Sequence, residues 1–368
     1  MKFRIRQAVK MVMQNVILPF FYQLGKIRPI DKRLVVFADS HHDTVPYSME
    51  DLYHWFEGRD YRVLKMVRDC DSRGYAGNLV YMVRFMLQYA RAHYVFLCDN
   101  FLPAASCRKR KDTIVVQMWH AGGILKKYGY DTERDIPSYY RGNVFQNYSL
   151  ILTSAPACNR AYVSGMKADP LTVQALGLSR TDRFYSKQYA RMCREQFDQW
   201  CPSARGKKIV LWAPTFRGNA SMPEIIDASF VERLQAQLGD EWLLVVKVHP
   251  HLQKHLHMDS CPIATERLLP VVDVLISDYS SVIYDYLLLE RPIVLYVPDL
   301  AYYLQQDQFY IDFREMPGDI VTEECNLYDA VRYAYERCSR NEMHQFKEKY
   351  MCACDGMALE RLIHFLGL

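Results

Sequence analysis

From Arg33 onward the chain alternates short β-branched apolar runs with longer amphipathic stretches, and it does so in two successive series. Short runs that are apolar throughout need cover on both faces, and the intervening helical stretches supply it. The pattern therefore predicts parallel sheets wrapped by helices. The first series has candidate strands near Leu34–Ala38, Tyr61–Val67, Tyr94–Cys98, Ile114–Met118 and Leu150–Thr153, with helical patterns at Ser48–Phe56 and Ala76–Arg91. Between Arg180 and Lys208 the text turns polar and helical, and Pro202, Ser203, Arg205 and Gly206 mark a linker. The second series runs through Ile209–Ala213, Leu243–Val248, Val274–Ser277 and Ile293–Tyr296, and beyond Asn326 the pattern is helical to the end.

A length of 368 residues fits two such domains. Residues 34–200 are expected to form one doubly wound α/β domain and residues 201–368 a second with closing helices. Half of the residues are hydrophobic, enough to fill both cores. The net charge of +4 is too small for a protein that coats nucleic acid, so none is expected as a partner. Eleven cysteines without zinc-ribbon spacing read as reduced core thiols of a cytoplasmic protein, and the lone Cys352/Cys354 pair lacks the partners of a metal site.

Residues 1–33 stand apart. Lys2, Arg4, Arg6 and Lys10 precede the apolar run Met11–Leu24, and Lys26, Arg28, Lys32 and Arg33 follow it. The run is interrupted by Gln14, Asn15 and Pro19 and is shorter than the roughly 20 residues of a bilayer span. No small-x-small cleavage site follows it. Two readings stay open: a basic amphipathic segment lying on an anionic membrane surface, and an ordinary packed first helix.

In open α/β sheets ligands bind beyond the carboxyl ends of the strands. One such end carries His120-Ala121-Gly122-Gly123 with Lys126 and Lys127, a histidine placed for proton transfer. A second carries Lys247 and His249, with His251, His255 and His257 behind them, and a third carries Thr215 and Arg217. The fourth, Ser277-Asp278-Tyr279-Ser280-Ser281, runs from a strand into a helical pattern, where open N–H groups and two hydroxyls suit a phosphate. Plain N-capping by Ser280 is the competing reading. Neither a Walker loop nor a G-x-G-x-x-G stretch is present.

Taken in order, these blocks resemble the CDP-glycerol glycerophosphotransferase family of teichoic-acid primases and polymerases. The matching text is Val116–Gly123 with Lys126–Gly129, Leu176–Asp182, Leu211–Arg217, Lys247–Pro250, Ser277–Ser281 with Tyr284-Asp285, and Arg291–Ile293. The resemblance implies a GT-B architecture, two Rossmann-like domains facing a cleft, with the acceptor handled by the first and the nucleotide donor by the second. It implies transfer of a polyol phosphate, glycerol or ribitol, from a CDP-activated donor to a hydroxyl of a lipid-linked or polymeric acceptor, with release of CMP and no cofactor or metal. It also implies peripheral attachment to the cytoplasmic face of the cell membrane.

On that reading His120 is the general base and His249 stabilises the leaving pyrophosphate. Thr215, Arg217, Lys247, Asp278, Ser280 and Ser281 bind donor phosphates, and Arg180 and Asp182 join them from the family motif. The alternatives are a GT-B glycosyltransferase that uses a nucleotide sugar and a non-catalytic envelope scaffold.

Overall fold

The computed structural model describes residues 2–133, 135–215, 217–219, 222–224, 228–248, 260–305 and 308–368. The chain divides into two compact units. The first comprises Met1–Ala121, Lys127–Asp182 and Ala353–Leu368, and the second Gly122–Lys126 and Arg183–Cys352.

The first unit opens with a helical segment, α1 (Lys2–Val12), a π-helical turn (Met13–Ile17) and α2 (Leu18–Gly25). It continues through β1 (Asp31–Asp39), α3 (Tyr47–Glu57), β2 (Arg62–Val67), α4 (Tyr75–Tyr89), β3 (Ala92–Leu97), β4 (Ile114–Gln117), β5 (Leu150–Leu152), α5 (Asn159–Met166) and β6 (Val173–Gln174). All strands pair in parallel, in the order β2-β1-β3-β4-β5-β6. The β1 run Leu34–Phe37 is fully buried, as a central parallel strand requires. Phe37 stacks on Phe96 of β3 with ring centroids 4.9 Å apart, and Phe56 of α3 packs edge-on at 6.1 Å.

The second unit begins with α6 (Lys187–Trp200), β7 (Lys208–Ala213), a short hairpin β8 (Arg217–Asn219) and β9 (Met222–Glu224), and α7 (Phe230–Leu238). Then come β10 (Trp242–Val246), α8 (Thr265–Leu268), β11 (Val274–Ser277), α9 (Val282–Leu287), β12 (Ile293–Tyr296) and α10 (Leu300–Gln305). It ends with β13 (Asp319–Val321), α11 (Leu327–Arg337) and α12 (Arg340–Met351). Its sheet is parallel in the order β10-β7-β11-β12-β13. Val210, Trp212, Val274, Ile276 and Val294 form one face of its core against Phe230 and Leu234 of α7 and Val331 of α11. Both sheets are wound alike: the second strand lies outside the first, and the chain then reverses to the third.

The expected α/β class with two doubly wound units is what the chain adopts, but the division falls at Asp182/Arg183 rather than at 200/201. Helix α6 buries Cys193 and Phe197, and Tyr189 donates its hydroxyl to the Glu266 carbonyl at 3.2 Å, so α6 belongs with the second unit. The last sixteen residues return to the first unit. The Ala353 N–H reaches the Ser154 carbonyl at 2.9 Å, and Arg361 reaches the Leu176 carbonyl at 2.7 Å. Gly122–Lys126 likewise belongs with the second unit. Tyr310 donates its N–H to the Leu125 carbonyl at 2.8 Å, and Gly123 sits at φ +61, where a Cβ would lie 2.1 Å from the Tyr284 ring.

The N-terminal segment has two faces. One is packed on the first unit: Leu18 and Tyr22 are buried, and Gln14 donates to the Asn143 carbonyl at 2.9 Å. Gly25 lies against α4 so closely that a Cβ would sit 2.7 Å from that of Ala90. On the other face Ile5, Val9, Val12, Val16, Phe20, Leu24 and Ile27 are exposed. No described helix is long and apolar enough to cross a membrane.

Candidate functional site

In each sheet the reversal of winding creates a switch point, between β1 and β3 in the first unit and between β7 and β11 in the second. The carboxyl ends of strands beside such a point are where α/β proteins hold ligands. Of the residues expected to be functional, Thr215, Arg217, Asp278, Ser280 and Ser281 gather at the ends of β7 and β11, and His120 lies just beyond β4.

In the first unit β4 delivers His120. Trp119 before it has φ +56, a left-handed conformation that costs a bulky residue energy and clusters at functional turns. Gln117, fully buried, holds this turn in place. Its Oε1 accepts the Trp119 N–H at 3.1 Å, while its Nε2 donates to the Asp99 carbonyl at 2.9 Å and to the Tyr148 hydroxyl at 3.1 Å. The His120 ring stacks on Trp119 with centroids 4.6 Å apart and planes tilted by 29°. Its Nδ1 faces two acceptors, the Cys98 carbonyl at 3.3 Å and Asp99 Oδ2 at 3.5 Å, while half of the side chain is exposed. With acceptors on the Nδ1 side, the neutral ring carries its proton there and leaves the Nε2 lone pair available as a base. Three residues past the end of β1, His42 Nδ1 lies 2.8 Å from Asp39 Oδ2.

In the second unit Asp278, buried at the end of β11, is the hub. It accepts the Thr215 N–H at 2.9 Å, the Thr215 hydroxyl at 3.0 Å, Arg217 Nη1 at 2.7 Å and its neighbour's N–H, that of Tyr279, at 2.7 Å. Arg217 also grips Asp299 with Nε at 2.7 Å and Nη2 at 3.2 Å. Burial works against the guanidinium charge, but Asp299 and Asp278 more than offset it and hold the group protonated. Burial likewise opposes ionisation of Asp299, and the Arg217 contact outweighs it, leaving that carboxyl below its ordinary range. Thr215, Arg217 and Asp278 thus form an interlocked clasp that joins the ends of β7 and β11. Arg217 spends its donors inside the protein rather than presenting an open fork.

Ser280 and Ser281 follow directly. The Ser280 hydroxyl accepts the Val282 N–H at 3.3 Å, and the carbonyls of Ser280 and Ser281 accept those of Ile283 and Tyr284 at 3.3 and 3.1 Å. The first N–H groups of α9, expected to be open, are therefore engaged in a tight self-capping turn. What this end offers to the surface is the exposed Ser281 side chain and the positive end of a short helix. Lys126 adds a cation, its Nζ 5.5 Å from the Tyr279 ring centre and 5.7 Å from that of Tyr303.

The remaining expected residues are dispersed. Lys247 donates its ammonium to the Cys261 carbonyl at 2.7 Å, and burial lowers its pKa. Arg180 and Asp182 lie in the first unit. Arg180 is buried with its guanidinium 5.9 Å from the Tyr47 ring, and its carbonyl accepts the Tyr47 hydroxyl at 2.9 Å. Asp182 accepts two backbone N–H groups of the C-terminal helix, Ala358–Phe365, a capping position. His249, with His251, His255 and His257, lies outside the described residues. Among the described residues no group of three or more His, Cys, Asp or Glu side chains is arranged to hold a metal ion.

The sequence reading passed over Asp99, Asp39, His41, His42 and Asp299. The rule that led to His120, inspection of the residues just beyond each strand, finds all of them. Asp39 closes β1, Asp99 follows β3 by two positions and Asp299 follows β12 by three.

The model of the CDP-glycerol:poly(glycerophosphate) glycerophosphotransferase family matches residues 20–367. The chain belongs to this family. Among its relatives is a teichoic acid ribitol-phosphate primase of Bacillus spizizenii, 29% identical over 371 residues that cover 94% of this chain and 93% of that one. A teichoic acid poly(ribitol-phosphate) polymerase of the same organism is 28% identical over 94% of this chain and 58% of its own length. A teichoic acid glycerol-phosphate primase of Bacillus subtilis is 27% identical over 74% of this chain and 73% of its own. The fold is that of the wall teichoic acid polymerase TagF, with a TM-score of 0.75 at 18% identity, covering 100% of this chain and 97% of that one. The glycerophosphotransferase fold is thus of the GT-B class, and the protein is a transferase that moves a polyol phosphate from a CDP-linked donor in teichoic acid synthesis.

Proposed function

We propose that this glycerophosphotransferase carries out that transfer at an anionic membrane surface, to a hydroxyl of a lipid-linked or polymeric teichoic-acid or capsule-type acceptor. The carrying observation is His120, held at a strand end with Nδ1 turned to acceptors and half its side chain exposed. The acceptor oxygen attacks the phosphorus that bears the polyol. His120 Nε2 takes its proton, and the bond from that phosphorus to the CMP oxygen breaks. His249 donates to the pyrophosphate and balances charge on the leaving CMP. Ser280, Ser281 and the N-terminal end of α9 take a donor phosphate, with Lys247 contributing charge. Thr215, Arg217 and Asp278 keep that strand end in shape, and Arg180 and Asp182 support the first unit.

The exposed apolar row on the N-terminal segment supports peripheral attachment. It runs between basic residues, of which Arg4, Lys10 and Arg28 are exposed, and such a face suits the headgroup boundary of an anionic bilayer. Incubation with CDP-glycerol, CDP-ribitol and UDP-sugars decides the reaction. CMP released from one CDP-polyol alone is the expected result, and nucleoside diphosphate released from a UDP-sugar would replace this reading with glycosyl transfer. His120→Ala should slow turnover by about 10²- to 10⁴-fold while leaving donor binding nearly intact.

A further inference from the structure

The carboxylate of Asp99 is divided between two tasks. Its Oδ1 accepts the Asn100 N–H at 2.6 Å, which fixes the plane of the group. Its Oδ2 lies 3.5 Å from His120 Nδ1, whose hydrogen bond goes to the Cys98 carbonyl at 3.3 Å, and 3.9 Å from His41 Nε2. The backbone on either side of the pair is tied by a single side chain, since Gln117 binds both the Asp99 carbonyl and the Trp119 N–H. His41 is in turn 3.6 Å from Asp71, and His42 is engaged with Asp39, while among the described residues of the first unit Asp99 is the carboxylate within ion-pair distance of His120.

We infer that Asp99 is a positioning residue for the transfer reaction, its Oδ2 joining the Cys98 carbonyl in holding the His120 proton on Nδ1 so that the Nε2 lone pair faces the acceptor hydroxyl. The inference rests on His120 being the base and deepens that reading. When the acceptor oxygen bonds to phosphorus, its proton passes to Nε2 and the electron pair of the broken bond leaves with CMP. The ring is then an imidazolium whose Nδ1–H still faces the Asp99 carboxylate, and one negative charge is already in place for it. Half-exposed, His120 then returns the proton to solvent. The plane of Asp99 is kept by the Asn100 N–H on Oδ1, in the way that outer partners orient metal-bound imidazoles.

The test measures CMP release by wild type, Asp99→Asn, Asp99→Glu, His120→Ala and the Asp99→Asn/His120→Ala double variant, at limiting and saturating CDP-glycerol. Asp99→Asn should lose about 10- to 100-fold in kcat with donor KM within about twofold. Asp99→Glu should recover most of that loss, and Asp99→Asn should add nothing once His120 is gone. A second readout needs no turnover: nitrogen-15 spectra should find the wild-type His120 proton on Nδ1 and a shift of population to Nε2–H in Asp99→Asn.

Wild-type kcat in Asp99→Asn beside an inactive His120→Ala overturns the inference alone, and full activity in His120→Ala removes the base and the inference together. An equal cost of Asp99→Asn with and without His120 shows a merely structural role and overturns it too. Should Asp99→Asn fail to fold, the wild-type spectrum decides, and a proton on Nε2 overturns the inference.

Discussion

Asp182 caps a helix 177 residues away: its Oδ2 accepts the Leu359 N–H at 2.8 Å. Its Oδ1 takes the Ala358 N–H at 3.0 Å, so both oxygens of a residue expected to serve the donor are occupied by the start of the C-terminal helix. Asp182→Ala should cost about 1 to 2 kcal/mol through loss of the cap and of the charge at the helix dipole. Thermal unfolding checks this. An unchanged midpoint with impaired donor binding would return Asp182 to the substrate.

The clasp around Asp278 predicts a larger loss. Arg217→Leu leaves the buried Asp278 carboxylate without its guanidinium, and stranding one partner of a buried pair costs about 3 to 5 kcal/mol. Asp299→Asn should cost less, because its side chain is 30% exposed and water compensates. Urea midpoints of the two variants should fall in that order, and the reverse order would contradict the clasp.

A pH dependence follows from Asp39 and His42. The hydrogen bond to Asp39 raises the His42 pKa against the effect of burial. Burial would raise Asp39, but the His42 ring and the His41 N–H bring it below its ordinary value. The raised histidine contributes in full below its unfolded pKa of about 6.5 and loses its contribution as pH rises through the folded value. The depressed aspartate contributes above about 3.9 and loses its contribution as pH falls through its folded value. The pair therefore stabilises most between about pH 4 and 6.5. With the imidazole half exposed, His42→Gln should cost about 0.5 kcal/mol at pH 5.5 and almost nothing at pH 9. Denaturant titrations at the two pH values compare these costs, and an equal loss at both would rule the ion pair out.

Vesicle co-sedimentation separates the two faces of the N-terminal segment. Val9→Asp with Val16→Asp places charge on the exposed row and should abolish pelleting with anionic vesicles while leaving the melting temperature within a few degrees. Leu18→Asp, at a fully buried position, should instead unfold the packing against the first unit. Wild-type pelleting that is insensitive to salt and to lipid charge would remove the electrostatic part.

The sequence was most legible where a strand is buried on both faces. Val274–Ser277 and Ile293–Tyr296 were delimited to the residue, because a short apolar run between turn residues has few other uses. The two-residue β6 and three-residue β13 escaped, being too short to show a period. The domain boundary was misplaced because Pro202 and Gly206 punctuate a loop within the second unit, whereas the chain changes units beside a helix-capping carboxylate, Asp182, that carries no compositional mark. His120 was legible from its strand end. That Arg217 grips carboxylates was not, since its partners Asp278 and Asp299 lie 61 and 82 residues away.

The π-helical turn at Met13–Ile17 sets how the first helix tolerates changes of length. Val12, Val16, Phe20 and Leu24 follow one another at intervals of four, and on an α-helix each such step overshoots a full turn by about 40°. The wider turn absorbs the surplus residue and keeps these side chains in line. Removal of one residue between Met13 and Ile17 would relax the turn to ordinary α-helix with the flanking rows still in phase. The same deletion between Leu18 and Gly25 would rotate everything upstream by about 100°, off the line of Ile27. The helix thus holds one spare residue, stored where its loss does least harm.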